Sequence, residues 1–167
     1  MKKTALTLAF LVAWMFTVPM GWAQKPNDAE HAELAKALGD AKISLQRGLT
    51  ASTKEGKPIS AKYEVEHGKL QLSVYTMKGD KFSEVIVDHQ TGKVAKAEPI
   101  TGGDDLTAAK AQSETMRSLE AAAAEGVKEN KGYRVVSVMP ALKDGHPVAD
   151  VTLVKGNEWK TASEKLD

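Results

Sequence analysis

Four histidines and no cysteine bound the chemistry open to this 167-residue chain. His31, His67, His89 and His146 fall in separate segments. Around His31 the sequence reads AEHAEL, without the second histidine that a zinc-binding H-E-x-x-H helix places one turn on. There is no G-x-S-x-G nucleophile elbow, and the lack of Cys removes both a thiolate nucleophile and a thiolate zinc site. A Ser–His–Asp site built from distant residues is defined by geometry rather than by order, and no spacing here nominates one. The expectation is a chain that is not an enzyme and carries no cofactor.

The remaining chemistry-bearing residues sit in turns. His67 precedes Gly68, and Asp144 and His146 flank Gly145. Two such turns could converge on a divalent cation, which makes His67, Asp144 and His146 weak metal candidates. Zinc asks for three or four convergent ligands, and exposed turns accept His without any metal, so no metal site is assigned. Thr101-Gly102-Gly103-Asp104-Asp105 precedes a helical pattern, as a phosphate loop would. Two acids at that helix start repel an anion, and no Lys-Ser/Thr follows. It reads as a linker with helix-capping acids.

The elements that carry these residues are organised around Lys69–Val94. Leu70, Leu72 and Val74 alternate with Gln71 and Ser73, the period of a strand with one buried face. Lys78-Gly79-Asp80-Lys81 turns the chain, Phe82–Val87 returns, and Asp88-His89-Gln90-Thr91-Gly92 turns it again before Val94. Upstream, Ala29–Leu38 reads as a helix ended by Gly39, and a second helix follows Ser44 through Leu45 and Leu49 to about Lys54. Gly56-Lys57-Pro58 breaks it, Ile59–Glu66 alternates as a strand, and His67-Gly68-Lys69 is a hairpin turn. Downstream, Glu98–Asp105 reads as a linker and Leu106–Lys128 as one long Ala-rich helix with Ala109, Met116, Leu119, Ala123 and Val127 near one face. Tyr133–Met139 is a strand, Pro140–His146 a turn, Val148–Val154 a strand, and Trp159 opens the last segment.

Residues 1–23 have the form of a secretory signal. Lys2 and Lys3 precede an apolar run from Ala5 to Val18, and Gly21-Trp22-Ala23 offers small residues at −3 and −1. The run is shorter than the roughly 20 residues of a membrane span. The expectation is cleavage after Ala23, a periplasmic or secreted protein of 144 residues, and no membrane anchor. Without Cys there is no lipoprotein anchor and no disulfide framework. Of 23 basic residues two lie in the signal, which leaves 21 against 22 acids. So balanced a charge points to neither nucleic acid nor an anionic membrane.

The halves repeat at an offset of 77. Met77-Lys78-Gly79-Asp80-Lys81-Phe82 reads against Val154-Lys155-Gly156-Asn157-Glu158-Trp159, Gly68 falls on Gly145, and Leu70, Leu72 and Val74 fall on Pro147, Ala149 and Val151. The expected fold is α+β: residues 24–100 and 101–167 each form a helix plus a three-stranded antiparallel sheet, the second copy degenerate because Asp167 precedes any counterpart of the Asp88–Gly92 turn.

This pattern resembles the PepSY domain: a short helix, a Gly-bearing break, and strands whose last hairpin carries an Asp-x-x-Thr-Gly turn. Here that turn is Asp88, Thr91 and Gly92, preceded by Ser83-Glu84-Val85-Ile86-Val87. The match covers about residues 41–100 well and 112–167 loosely. The architecture is also similar to that of β-lactamase-inhibitor proteins. The PepSY resemblance implies a binding module that inhibits or regulates a protein partner, such as a peptidase, outside the cytoplasm. The turn has its own structural reason: an Asp carboxylate accepts from N–H groups two and three residues on, and Gly supplies positive φ. For the partner surface the candidates are Tyr75, Phe82 and Trp159. They either pack the core of their own half or line one concave face of a joined sheet and grip a peptide, and exposed strand edges could take up a partner strand. Two other classes remain beside this one: a small-ligand or divalent-cation-binding sensor or carrier, and a structural or chaperone-like envelope protein.

Overall fold

The computed structural model describes residues 28–113 and 119–166. The signal segment and Met116 lie outside the described residues. Helix α1 (Asp28–Ala37) runs into a 3-10 turn at Leu38–Asp40, and α2 spans Leu45–Ser52. Four strands follow: β1 (Lys57–Glu66), β2 (Lys69–Lys78), β3 (Lys81–Val87) and β4 (Val94–Ile100). Then come α3 (Gly103–Ser113), α4 (Leu119–Glu129), β5 (Arg134–Lys143), β6 (His146–Lys155) and β7 (Glu158–Lys165). All seven strands form one antiparallel sheet in the order β4-β3-β2-β1-β5-β6-β7.

Local sequence accounts for most of these elements. Ser44 caps α2, its Oγ accepting from the Arg47 amide at 3.2 Å. His67-Gly68 and Asp144-Gly145 have positive φ at both positions, the signature of a type I′ hairpin. Gly79 and Gly156 have positive φ at the first turn position alone, as a II′ turn requires. Single-residue bulges fall at Ile59, between Pro58 and Ser60, and at Val136, between Val135 and Ser137. Both hairpin turns, both Gly turns and both bulges are spaced 77 residues apart.

Three expectations change. Glu98–Ile100 belongs to β4, so the first half contributes four strands where three were expected. Pairing with β3, Glu98 to Glu84 and Ile100 to Phe82, outweighs the Pro99 and Gly signals that read as linker. Pro140–Lys143 extends β5 instead of forming a turn, and only Asp144-Gly145 turns. Pro140 is tolerated because β1–β5 pairing is confined to Ala61–Val138 and Lys62–Ser137. The Ala-rich stretch contains two helices, α3 and α4, which lie on opposite faces of the sheet.

The core lies mainly on one face. There α1, α2 and α4 cover Ala61, Tyr63, Leu72, Val74, Val85, Val138, Val151 and Leu153, and Leu45 and Leu49 of α2 are fully buried. Each such leucine contributes about 1.5–3 kcal/mol on burial. Glycines let the helices approach closely. A Cβ on Gly48 would lie 2.4 Å from Leu72 Cδ2, and one on Gly126 3.1 Å from Val151 Cγ1. On the opposite face, α3 covers a smaller cluster of Ile59, Tyr75, Phe82 and Ala109, with Met77, Ile100 and Leu106 at its border.

Candidate functional site

The short β1–β5 pairing joins the halves and decides where every candidate residue goes. Because β1 and β5 are antiparallel, equivalent turns of the two halves lie at opposite ends of the sheet. Glu66 lies level with Tyr133, whereas Lys143 lies level with the start of β1. His67 is therefore separated from Asp144 and His146 by about the length of a ten-residue strand, roughly 30 Å. The two turns do not converge. Among the described residues no group of three His, Asp or Glu side chains could hold a metal ion.

The same geometry separates the aromatic candidates. Phe82 follows the turn at the β1-start end, and Trp159 follows the equivalent turn at the β1-end side. They cannot line one concave face. Phe82 is 5% exposed and Tyr75 7% exposed, both beneath α3, so as placed neither presents its ring to a partner. The Tyr75 hydroxyl donates to Glu84 Oε1 at 3.1 Å. Burial, with Glu84 and Glu64 nearby, pushes the phenol far above its ordinary range, so it stays a neutral donor. Trp159 is half-buried against the main core, its ring stacked on His31 at 4.1 Å and 10°.

The Asp88–Gly92 turn is a clamp on the rest of the first half. Asp88 Oδ1 accepts from Gln90 N at 3.0 Å, Thr91 N at 2.7 Å and Thr91 Oγ1 at 2.9 Å. These bonds, that from the Thr91 amide foremost, hold the exposed Asp88 carboxyl below the usual carboxylate range. The turn so fixed aims the His89 carbonyl at the segment between the 3-10 turn and α2, where it accepts from Lys42 N and Ile43 N at 2.9 and 3.2 Å. Gly92, at φ 73°, lets the turn close against Ile43 and Arg47. From the other half, the Arg134 guanidinium donates to the carbonyls of Leu38, Ala41 and Ile43 at 2.8, 3.2 and 2.8 Å and lies 5.5 Å over the Tyr63 ring. Tyr63 OH donates to the Ile43 carbonyl at 2.9 Å. As placed, Asp88, Thr91 and Gly92 hold this turn against the Lys42–Ile43 segment.

Among the described residues the α3 side of the sheet is the less covered one. By strand alternation it presents Lys62, Glu64, Gln71, Ser73, Tyr75 and Glu84 from the first half and Ser137, Met139, Ala141, Val148, Asp150 and Ser163 from the second. Of the second set only Val148 is buried. At the end where β1 starts, Phe82, Tyr75, Ile59, Met139, Ala141 and Val148 fall in an apolar band across five strands; Phe82, Tyr75 and Ile59 are buried beneath α3, Val148 is buried too, and Met139 and Ala141 are half-buried. Leu142, 74% exposed, stands at the same end. The sequence reading missed Met139, Ala141 and Val148. Met139 and Val148 fall in the expected strands Tyr133–Met139 and Val148–Val154, where alternation alone could have nominated them; only Ala141 is hidden by reading Pro140–His146 as a turn.

This face also holds two polar networks. Ser73 donates to Glu64 Oε1 at 2.8 Å, and Glu64 pairs with Lys62 at 2.5 Å. Lys143 Nζ donates to Asp150 Oδ1 at 3.0 Å and to Ser163 Oγ, and Ser163 donates to the same Asp150 oxygen at 2.5 Å. The network ties β5, β6 and β7 together.

No helix among the described residues is long and apolar enough to cross a membrane. No family model matches the chain, and no curated protein matches it. Among solved structures it is similar to a candidate lipoprotein from Clostridium difficile 630, at 12% identity and a TM-score of 0.42, over 77% of this chain and 89% of that one.

Proposed function

We propose that the chain is an exported, non-enzymatic binding module built from two PepSY-like repeats, and that it engages a protein partner, a peptidase being the candidate the resemblance offers, across the α3 side of its sheet. One observation carries this reading. Among the described residues three helices cover one face of a seven-stranded sheet and α3 alone lies over the other, which leaves Met139 and Ala141 half-buried and Leu142 exposed at one end of that face. A small accessible apolar patch rimmed by charge is a composition that interaction surfaces use. The recurrence of turns and bulges at 77 residues supports a duplication. The role of Asp88, Thr91 and Gly92 in such a unit would be to clamp its helix pair rather than to touch the partner.

The test replaces Met139, half-buried on the open face, with Glu. The purified protein and its Met139→Glu variant, checked for folding by circular dichroism, are titrated into secreted metallopeptidases while proteolysis of a peptide substrate is followed. Inhibition by the wild type that weakens at least tenfold in the folded variant supports occlusion by this face. Inhibition unchanged by the substitution places the contact elsewhere. No inhibition, with calorimetric binding of a divalent cation or small ligand, moves the protein to the sensor or carrier class.

A further inference from the structure

The two edges of the sheet are not alike. At one edge β4 carries Pro99 within its seven residues and a register break opposite Ile86–Val87. Proline and irregular pairing are devices that keep foreign strands away. At the other edge β7 pairs with β6 over eight consecutive residues, Glu158–Lys155 to Lys165–Val148, with no bulge and no proline. Among the described residues no strand pairs with its outer side. A long regular edge presents a row of backbone donors and acceptors, ready to bind another strand.

The side chains of β7 specify which strand. Its sequence is EWKTASEK. Antiparallel pairing with a second copy about a twofold axis through Ala162 sets Thr161 opposite Ser163 and Lys160 opposite Glu164, each twice; Lys160 Nζ also donates to Asn130 Oδ1 of its own chain and keeps two further donors for the copy. Opposite charges and paired hydroxyls are the favourable cross-strand combinations. Placing the axis on Thr161 or Ser163 loses the Lys160–Glu164 match. Placing it between residues pairs positions of opposite parity, so the helices of the two copies would lie on opposite sides of the joined sheet. With the axis on Ala162, paired residues share parity. The helices of both copies then stay on one side, and the two open faces join on the other. Lys160 on the edge still repels a strand that lacks a matching acid.

We propose that β7 is a homodimerisation edge: two copies of this chain join antiparallel through Glu158–Lys165, with Ala162 on the twofold axis and Lys160 facing Glu164 of the copy, to give one continuous fourteen-stranded sheet. The interface lies at the far edge from β4 and leaves the open face free, so it stands or falls independently of the partner reading above.

The absence of cysteine makes the test direct. Residues directly opposite in an antiparallel pair have Cβ atoms about 4.5–5.5 Å apart, within reach of a disulfide after small adjustment. Under mild oxidation, Ala162→Cys should give a covalent dimer, and Glu158→Cys, away from its own copy, should not. By light scattering the wild type should dimerise. Lys160→Glu should weaken the dimer at least tenfold, and Lys160→Glu/Glu164→Lys should restore it. A wild type monomeric at high micromolar concentration, or a dimer indifferent to the charge changes with equal crosslinking at Glu158→Cys, overturns the proposal.

Discussion

Residues 57–87 and 134–165 each lay three strands outward from the β1–β5 seam, with the same turn types and a bulge at the same place. They differ in what those strands carry on the open face. The first half puts Tyr75 and Phe82 there and covers them with α3. The second half has Thr152 and Trp159 at the corresponding offset, but Trp159 packs against the main core and stacks on His31 of α1. The difference teaches that the backbone frame and the face chemistry vary separately. Turns need Gly or an αL-tolerant residue wherever the strand reverses, whereas the outward side chains are free once one face is buried.

The aromatic pair is the sharpest way to break this comparison. Phe82→Ala should cost about 3–4 kcal/mol, as for a fully buried Phe, with a cavity left under α3. Trp159→Ala removes a half-buried ring and should cost about half as much. Urea denaturation measures both. Equal losses would mean that the two positions serve the same packing role after all.

Arg134 comes next. Its guanidinium, from the second half, satisfies three carbonyls of the first. Arg134→Ala should cost roughly 2–3 kcal/mol, since hydrogen bonds to a charged donor are worth more than neutral ones and the carbonyls lose their partner. The residue 77 positions earlier is Lys57, exposed on its strand, and Lys57→Ala should stay within about 0.5 kcal/mol.

The helix glycines give a smaller contrast. At Gly48 a methyl group would meet the fully buried Leu72 at 2.4 Å, so the packing must shift. Overpacking of about 1–3 kcal/mol exceeds the gain of about 1 kcal/mol in helix propensity, and Gly48→Ala should lower the urea midpoint. At Gly126 the approach to Val151 is 3.1 Å, which a few tenths of an ångström relieves. Gly126→Ala should be neutral within about 0.5 kcal/mol, the two effects cancelling. A large loss at Gly126 would show that α4 packs as rigidly as α2.

Much of this frame is legible from spacing alone. The alternation of Leu70, Leu72 and Val74, the Ser44 cap and the paired glycine turns each follow from a local rule that tertiary structure did not override. What spacing does not carry is the seam. Ala61–Val138 pairing is set by packing of two distant strands, and it alone decides that Phe82 and Trp159, or His67 and His146, lie at opposite ends. Pro140 misleads for the same reason. A proline reads as a turn unless the strand beside it is known to have stopped pairing. The large aromatics Tyr75 and Phe82 draw attention to this face but are covered, whereas the accessible apolar positions there are the half-buried Met139 and Ala141.

The smallest effect isolates the Asp88 turn, which the second half does not repeat: Lys165 stands 77 residues after Asp88. The folded-state pKa of Asp88 is depressed, first by the Thr91 amide and then by its hydroxyl and the Gln90 amide. A depressed carboxylate contributes stability that is fully present above its unfolded pKa, about 3.9, and is lost as pH falls through the lower folded value. Asp88→Asn keeps an acceptor oxygen but removes the charge. Wild type should therefore exceed the variant in urea midpoint by a constant margin above about pH 5. That margin should narrow below pH 4 and close once Asp88 is protonated in both folded and unfolded chains. The carboxylate is exposed, so salt should shrink the margin as well. A margin that stays constant down to strong acid would mean that the turn holds the Lys42–Ile43 segment by shape alone, and that the negative charge of Asp88 contributes nothing to the clamp.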